Sequence, residues 1–153
     1  MSRPTLLQLY LVSQYEVRLP EVPARSVLRI AQPLPAALRG WLGHGASCAF
    51  ITAYNPYSQL RDAASNRRAQ RRLVDQVQAA GARCLPGAGR VPGQPWREPS
   101  LLVAGLDLPT LDHLAAEHGQ NAVVTAGASG PVRLRLYGDG WGAEHAEFID
   151  LAD

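Results

Sequence analysis

Cys48-Ala49-Phe50-Ile51-Thr52-Ala53-Tyr54 is a short apolar run that stops abruptly at Asn55-Pro56-Tyr57-Ser58. A run of this kind reads as a buried strand, and its polar end delivers amide and hydroxyl side chains to the strand tip, where sites are commonly built. The stretch that follows, from about Leu60 to Ala80, has helical period. Ala69, Leu73, Val77 and Ala80 share one face when positions advance by about 100° each. Arg67, Arg68, Arg71 and Arg72 gather on the other side. Gly81 ends this helix.

The remaining elements are shorter. Leu6 to Val12 is apolar enough for a short helix or a buried strand, and periodicity does not decide between them. Tyr15 to Leu19 and Ser26 to Ile30 read as strands, and Leu34 to Leu42 as a helix with Pro35 near its start. Pro86 to Pro99 is rich in Gly and Pro and reads as a loop. Ser100 to Ala104 is a buried-type strand, Leu111 to His118 a helix stopped by Gly119, and Ala122 to Thr125 a further strand. Val132 to Tyr137 alternates as a strand with one exposed face near a sheet edge. The acidic tail, Glu144 to Asp153, is expected to be loosely ordered.

With 153 residues and 46% apolar content, the chain is expected to form one compact domain over residues 1–153 that needs no disulfide or metal for its core. The expected class is α/β or α+β, a mixed central sheet with about three helices. Cys48 and Cys84 form no CxxC pair and read as reduced, buried small hydrophobes. The first residues lack a secretory pattern and no apolar run has membrane-spanning length, so the expectation is a cytoplasmic protein with no membrane partner. All 15 basic side chains are Arg. Without Lys there is no Walker-type phosphate Lys, no Schiff-base Lys and no Ser-Lys dyad. The net charge of +2 and the lack of a base-reading motif weigh against nucleic acid as a partner.

Asn66 falls in the middle of the apolar face of the long helix, so its amide is expected to point inward and to satisfy the loop after the strand. Pro56 is expected to bias Asn55 toward extended backbone, with Ser58 or Asp62 as the helix N-cap. Two further polar entries lead into apolar elements: Trp96-Arg97-Glu98-Pro99-Ser100 and Gly119-Gln120-Asn121. Each residue also has an ordinary structural role. Asn55 and Ser58 suit a turn and a cap, Glu98 an ion pair, Ser100 a strand start, and Gly119 with Gln120 a helix stop.

Thr52-Ala53-Tyr54-Asn55-Pro56-Tyr57-Ser58, Asn66, Pro86-Gly87-Ala88-Gly89, Trp96-Arg97-Glu98-Pro99-Ser100 and Gly119-Gln120-Asn121-Ala122 resemble, in order and spacing, the bacterial family catalogued as domain of unknown function 3293. The resemblance runs roughly from Tyr15 to Val124. It implies a small stand-alone domain in which Asn55, Ser58, Asn66, Glu98, Ser100 and Gln120 form one site, and it implies no substrate.

Other signals carry less. His113 and His118 lie at i, i+5, about 140° apart on a helix, where zinc motifs need i, i+4, so no metal is expected. Gly45-Ala46-Ser47-Cys48-Ala49 lacks the second Gly of a nucleophile elbow, and Gly87-Ala88-Gly89 precedes no helix, so no cofactor is expected.

The leading functional expectation is recognition, extending to turnover, of a small polar or anionic metabolite at the tip of the 50–54 strand. Asn55, Ser58, Asn66, Glu98, Ser100 and Gln120 would form the site, Arg90 or Arg97 would add charge, and Glu98 is the candidate general acid or base. The alternatives are a non-enzymatic module binding nucleic acid or an acidic protein through Arg67, Arg68, Arg71 and Arg72, and a structural interaction domain.

Overall fold

The computed structural model describes residues 2–142 and 147–152. Among them the elements run α1 (Arg3–Val12), β1 (Gln14–Val17), β2 (Ser26–Leu28), α2 (Ala36–Leu42), β3 (Ser47–Ile51), α3 (Ala63–Ala79), β4 (Arg83–Arg90), β5 (Glu98–Ala104), α4 (Leu108–Glu117), β6 (Ala122–Gly127), β7 (Arg133–Leu136) and β8 (Ile149–Leu151), with one 3-10 turn at Pro56–Ser58. The eight strands form one sheet in the order β2-β1-β4-β5-β3-β6-β7-β8. All pairings are antiparallel except β7 with β8.

The mixed α/β class holds, with four α-helices among the described residues where about three were expected. The additional one is α1, whose type the sequence left open. The Ser2 hydroxyl accepts the Thr5 N–H, Pro4 sits in the first turn, and Leu6 and Leu7 are buried.

Alternation along the strands divides the core into two layers. On one face Phe50, Leu102 and Leu134 pack with Leu7 of α1 and Leu38 and Leu42 of α2. On the other, Ile51, Leu101 and Val103 pack with Leu73 and Val77 of α3 and Leu111 and Leu114 of α4. Leu73 and Val77 are fully buried, each stabilising the fold by about 1.5–3 kcal/mol. The α3 stripe is therefore the apolar face seen in the sequence. Cys48 belongs to the first layer and Cys84 packs against the second. Both are free thiols, Cys48 buried and Cys84 half-buried, and burial pushes the Cys48 thiol up to about 11.

Two expectations are corrected. The stretch from Pro86 to Pro99 is not all loop: β4 continues through Gly87 and Gly89 to Arg90, paired with β1 and with β5. Gly87 is required there, because a side chain would meet the Glu16 carbonyl oxygen at 2.5 Å and the Phe50 ring at 3.0 Å. Pro86 accepts the Arg18 N–H through its carbonyl. The N and O of a strand residue face the same neighbour, so the N–H that proline lacks falls where β1 pairing ends. The acidic tail is not wholly loose either, since Ile149–Leu151 pairs with β7 and Arg133 forms an ion pair with Asp150 at 2.9 Å. Residues 143–146 and 153 of that tail lie outside the described residues. No helix among those described is long and apolar enough to cross a membrane.

Candidate functional site at the tip of the third strand

Beyond Ile51 the chain is fastened on three sides before it reaches α3. Thr52 Oγ1 donates to the Pro99 carbonyl at 2.7 Å and accepts the Tyr54 N–H at 3.0 Å. The Ala53 N–H donates to Gln70 Oε1 of α3 at 2.9 Å. Gln120 Nε2, at the foot of β6, donates to the Tyr54 carbonyl at 3.1 Å.

The chain then turns through left-handed backbone. Asn55, Tyr57 and Ser58 have φ of 48°, 56° and 59°, so the extended Asn55 expected from Pro56 is not found. Proline disfavours only the right-handed helical region for its predecessor, and asparagine tolerates the left-handed one. Left-handed backbone at Tyr57 and Ser58 costs of order 1–3 kcal/mol each, so surrounding contacts must impose it. The Tyr57 N–H donates to the Gly119 carbonyl, and the Cβ-less Gly119 lets Pro56 and the Tyr57 ring approach closely.

Asn66 is the main support of the turn. It is 4% exposed and its Oδ1 accepts the Asn55 N–H at 3.0 Å. Its Nδ2 donates to Asn55 Oδ1 at 2.9 Å and to the Arg61 carbonyl at 3.3 Å. Asn55 Oδ1 also accepts the Arg61 N–H at 3.1 Å. The inward amide expected from the helical wheel is thus present and closes the loop. The helix itself is capped by Asp62, which accepts the Ser65 N–H at 2.9 Å, and not by Ser58.

With Asn55 Oδ1 so occupied, its Nδ2 points across to Glu98 Oε2 at 3.1 Å. Glu98 begins β5 on the sheet face that carries Leu102 and Phe50. The row across the sheet there reads Tyr15, Gly89, Glu98. Gly89 contributes no side chain; burial above all opposes ionisation of Tyr15 and Tyr10, and the Glu98 charge adds to it as a smaller influence. Burial pushes the Glu98 carboxyl up to about 7, against a smaller lowering by the Asn55 hydrogen bond. Among the described residues no side-chain or backbone donor reaches its other oxygen, Oε1.

The structure therefore joins Asn55, Asn66 and Glu98 in one chain of hydrogen bonds and places Gln120 behind it, on the Tyr54 carbonyl. Ser58 Oγ accepts from Asn121 Nδ2 at 2.9 Å and lies 3.4 Å from the Tyr10 hydroxyl. Ser100 is buried, with its hydroxyl donating to the Glu98 carbonyl at 3.0 Å, so it braces Glu98 from within β5. Arg97 instead forms an ion pair with Glu16 at 2.8 Å. Arg90 lies one residue out of step with Gly89, which puts its side chain on the opposite sheet face from Glu98. The sequence reading missed Tyr10, Thr52, Gln70 and Asn121. Asn121 stood in a noted segment, whereas Tyr10 was hidden in an apolar run.

The four exposed arginines of α3 divide. Arg68 and Arg72 join Arg61, Ser65, Glu117 and His118 around a cleft of about 390 Å³, while Arg67 and Arg71 lie outside it. A larger open groove of about 1010 Å³ lies at the other end of β3, by Ser47, and is lined by Arg133, Arg135 and Asp150 among others. Arg133 is paired there with Asp150 and Arg135 with Asp112, and Asp107 caps α4 by accepting the Thr110 N–H at 2.8 Å. Glu98, whose carboxyl burial pushes up to about 7, lies at the opposite end.

The resemblance drawn from the sequence is borne out: residues 51–123 match the family described as "Protein of unknown function (DUF3293)". That span contains Asn55, Ser58, Asn66, Glu98, Ser100 and Gln120, but not Tyr10. No curated protein and no solved structure matches the chain.

Proposed function

We propose that the protein recognises a small polar metabolite at the tip of β3, with Glu98 as the group that meets it. The observation that carries this reading is the contact between Asn55 Nδ2 and Glu98 Oε2 at 3.1 Å. It orients a carboxyl that burial has moved to about 7, leaving Oε1 to receive or donate a proton-bearing bond from a ligand. Ser58 and Tyr10 supply hydroxyls at the loop above it. Asn55, Asn66, Gln120 and Ser100 act by position, because their polar groups are engaged within the protein.

A desolvated carboxyl that titrates near neutral pH is suited to proton transfer, so Glu98 is also the residue to assign as general acid or base in any turnover. A thermal-shift screen of neutral and anionic metabolites against the wild type and Glu98→Gln tests the reading. The expected result is a ligand that raises the melting temperature of the wild type and not of the variant. A hit that stabilises both equally, or no hit in a broad library, counts against it.

A further inference from the structure

On the other side of the Asn55–Asp62 loop, where α3 faces the end of α4, guanidinium groups are brought together and not spread apart. Arg61 donates to the Ser65 carbonyl at 3.3 Å and Arg68 to Ser65 Oγ at 3.2 Å, so one residue gathers two cations. Arg72 stands on the same cleft, hydrogen-bonded to Glu117. Two carboxylates lie near, and both are engaged. Asp62 caps α3 through Ser65, with Arg68 only a minor influence on its titration. Glu117 accepts from Arg72 and from Gln76 Nε2 at 2.7 Å. Burial lowers the pKa of His118, and its Nε2 is held 2.7 Å from Gln76 Oε1. Neither Arg61 nor Arg68 has a carboxylate within ion-pair distance among the described residues.

Like charges held this close repel one another unless an anion lies between them, and the planar guanidinium fork matches phosphate oxygens. A cleft of about 390 Å³ accommodates a phosphate group with a small organic body. We propose that Arg61, Arg68 and Arg72 form a binding site for a phosphate-bearing small molecule. Arg61 and Arg68 make the direct contacts, and Ser65 holds them in place. The site stands independently of the Glu98 reading. It lies on the α3 and α4 side of the sheet and uses the Arg61 side chain, whereas the Asn55 turn uses the Arg61 backbone N–H and carbonyl, which Arg61→Gln retains.

The test is a thermal melt of the full chain in increasing inorganic phosphate and, separately, pyrophosphate, against sodium chloride at matched ionic strength. The wild type and Arg67→Gln/Arg71→Gln should gain melting temperature in phosphate beyond the chloride control, and Arg61→Gln/Arg68→Gln should not, its affinity falling by about tenfold or more. Should the last variant fail to fold by circular dichroism, Arg68→Gln alone carries the same expectation. Equal responses to phosphate and chloride in the wild type, or an undiminished phosphate response in Arg61→Gln/Arg68→Gln, would overturn the proposal. A single-stranded oligonucleotide that binds, and loses binding equally in both double variants, would overturn the small-molecule assignment in favour of a nucleic-acid surface spread over α3.

Discussion

Asn55 and Glu98, 43 residues apart, are joined by a hydrogen bond of 3.1 Å from Nδ2 to Oε2, and Asn55 makes it from a left-handed turn that Asn66 holds through two further hydrogen bonds. The turn and the carboxyl are therefore one unit, and disturbing either should be felt at the other.

The first consequence is a pH dependence of stability. Below the ordinary Glu value of 4.5, the carboxyl is protonated in the folded and unfolded chains alike. Between 4.5 and about 7 the unfolded chain releases this proton while the folded chain keeps it. Stability contributed by the protonated carboxyl is therefore lost as pH rises through that window, by up to about 3 kcal/mol. Urea unfolding of the wild type and Glu98→Gln at pH 5 and pH 8 should show the variant gaining on the wild type at the higher pH. A constant difference between the two proteins would refute this.

Replacing Asn66 with Leu removes the acceptor for the Asn55 N–H and the donor to Asn55 Oδ1 inside a buried site. The expected cost is about 1–3 kcal/mol, accompanied by weaker binding of any ligand found in the metabolite screen. Chemical denaturation and a binding titration measure the two effects, and full stability with full affinity would remove Asn66 from the account.

Gly119 and Gly81 both have positive φ, 61° and 74°, but they differ in surroundings. A Cβ at 119 would lie 2.9 Å from Pro56 Cβ and 3.0 Å from the Tyr57 ring, whereas at 81 nothing lies within 4 Å. Gly119→Ala should therefore lower the melting temperature more than Gly81→Ala, the excess reporting the packing of the strained turn. Equal losses would show that backbone conformation alone sets the cost.

Arg67 and Arg71 lie outside the cleft of Arg61, Arg68 and Arg72 and are exposed. Reversing both to Glu should leave stability within roughly 0.5 kcal/mol, as thermal melts can establish.

Much of this architecture was legible in the sequence where local chemistry determines it. Leu73 and Val77 recur at helical period, so α3 and the inward amide of Asn66 could be read from the wheel alone. The strand ending at Tyr54 was legible because its apolar run is bounded by polar residues. Other features depend on partners distant in sequence. β4 looks like a loop in isolation, and its Gly87 makes sense only once Phe50 and the Glu16 carbonyl are known to press against it. Leu6 to Val12 satisfies helix and strand patterns equally. The left-handed turn at Asn55 is imposed by Asn66, Arg61 and Glu98, and the bias of Pro56 on its predecessor does not reveal it. Six residues were expected in one site, but the sequence did not show which of them are already engaged within the protein.

The most direct test of the account is the titration of the Glu98 side-chain carboxyl, followed by carbon NMR in the wild type and in Asn55→Ala. The wild type should titrate with a midpoint of about 7 and Asn55→Ala with a higher one, because the hydrogen bond that favours the charged form is lost. A wild-type midpoint near the ordinary glutamate value, unmoved by the substitution, would contradict it.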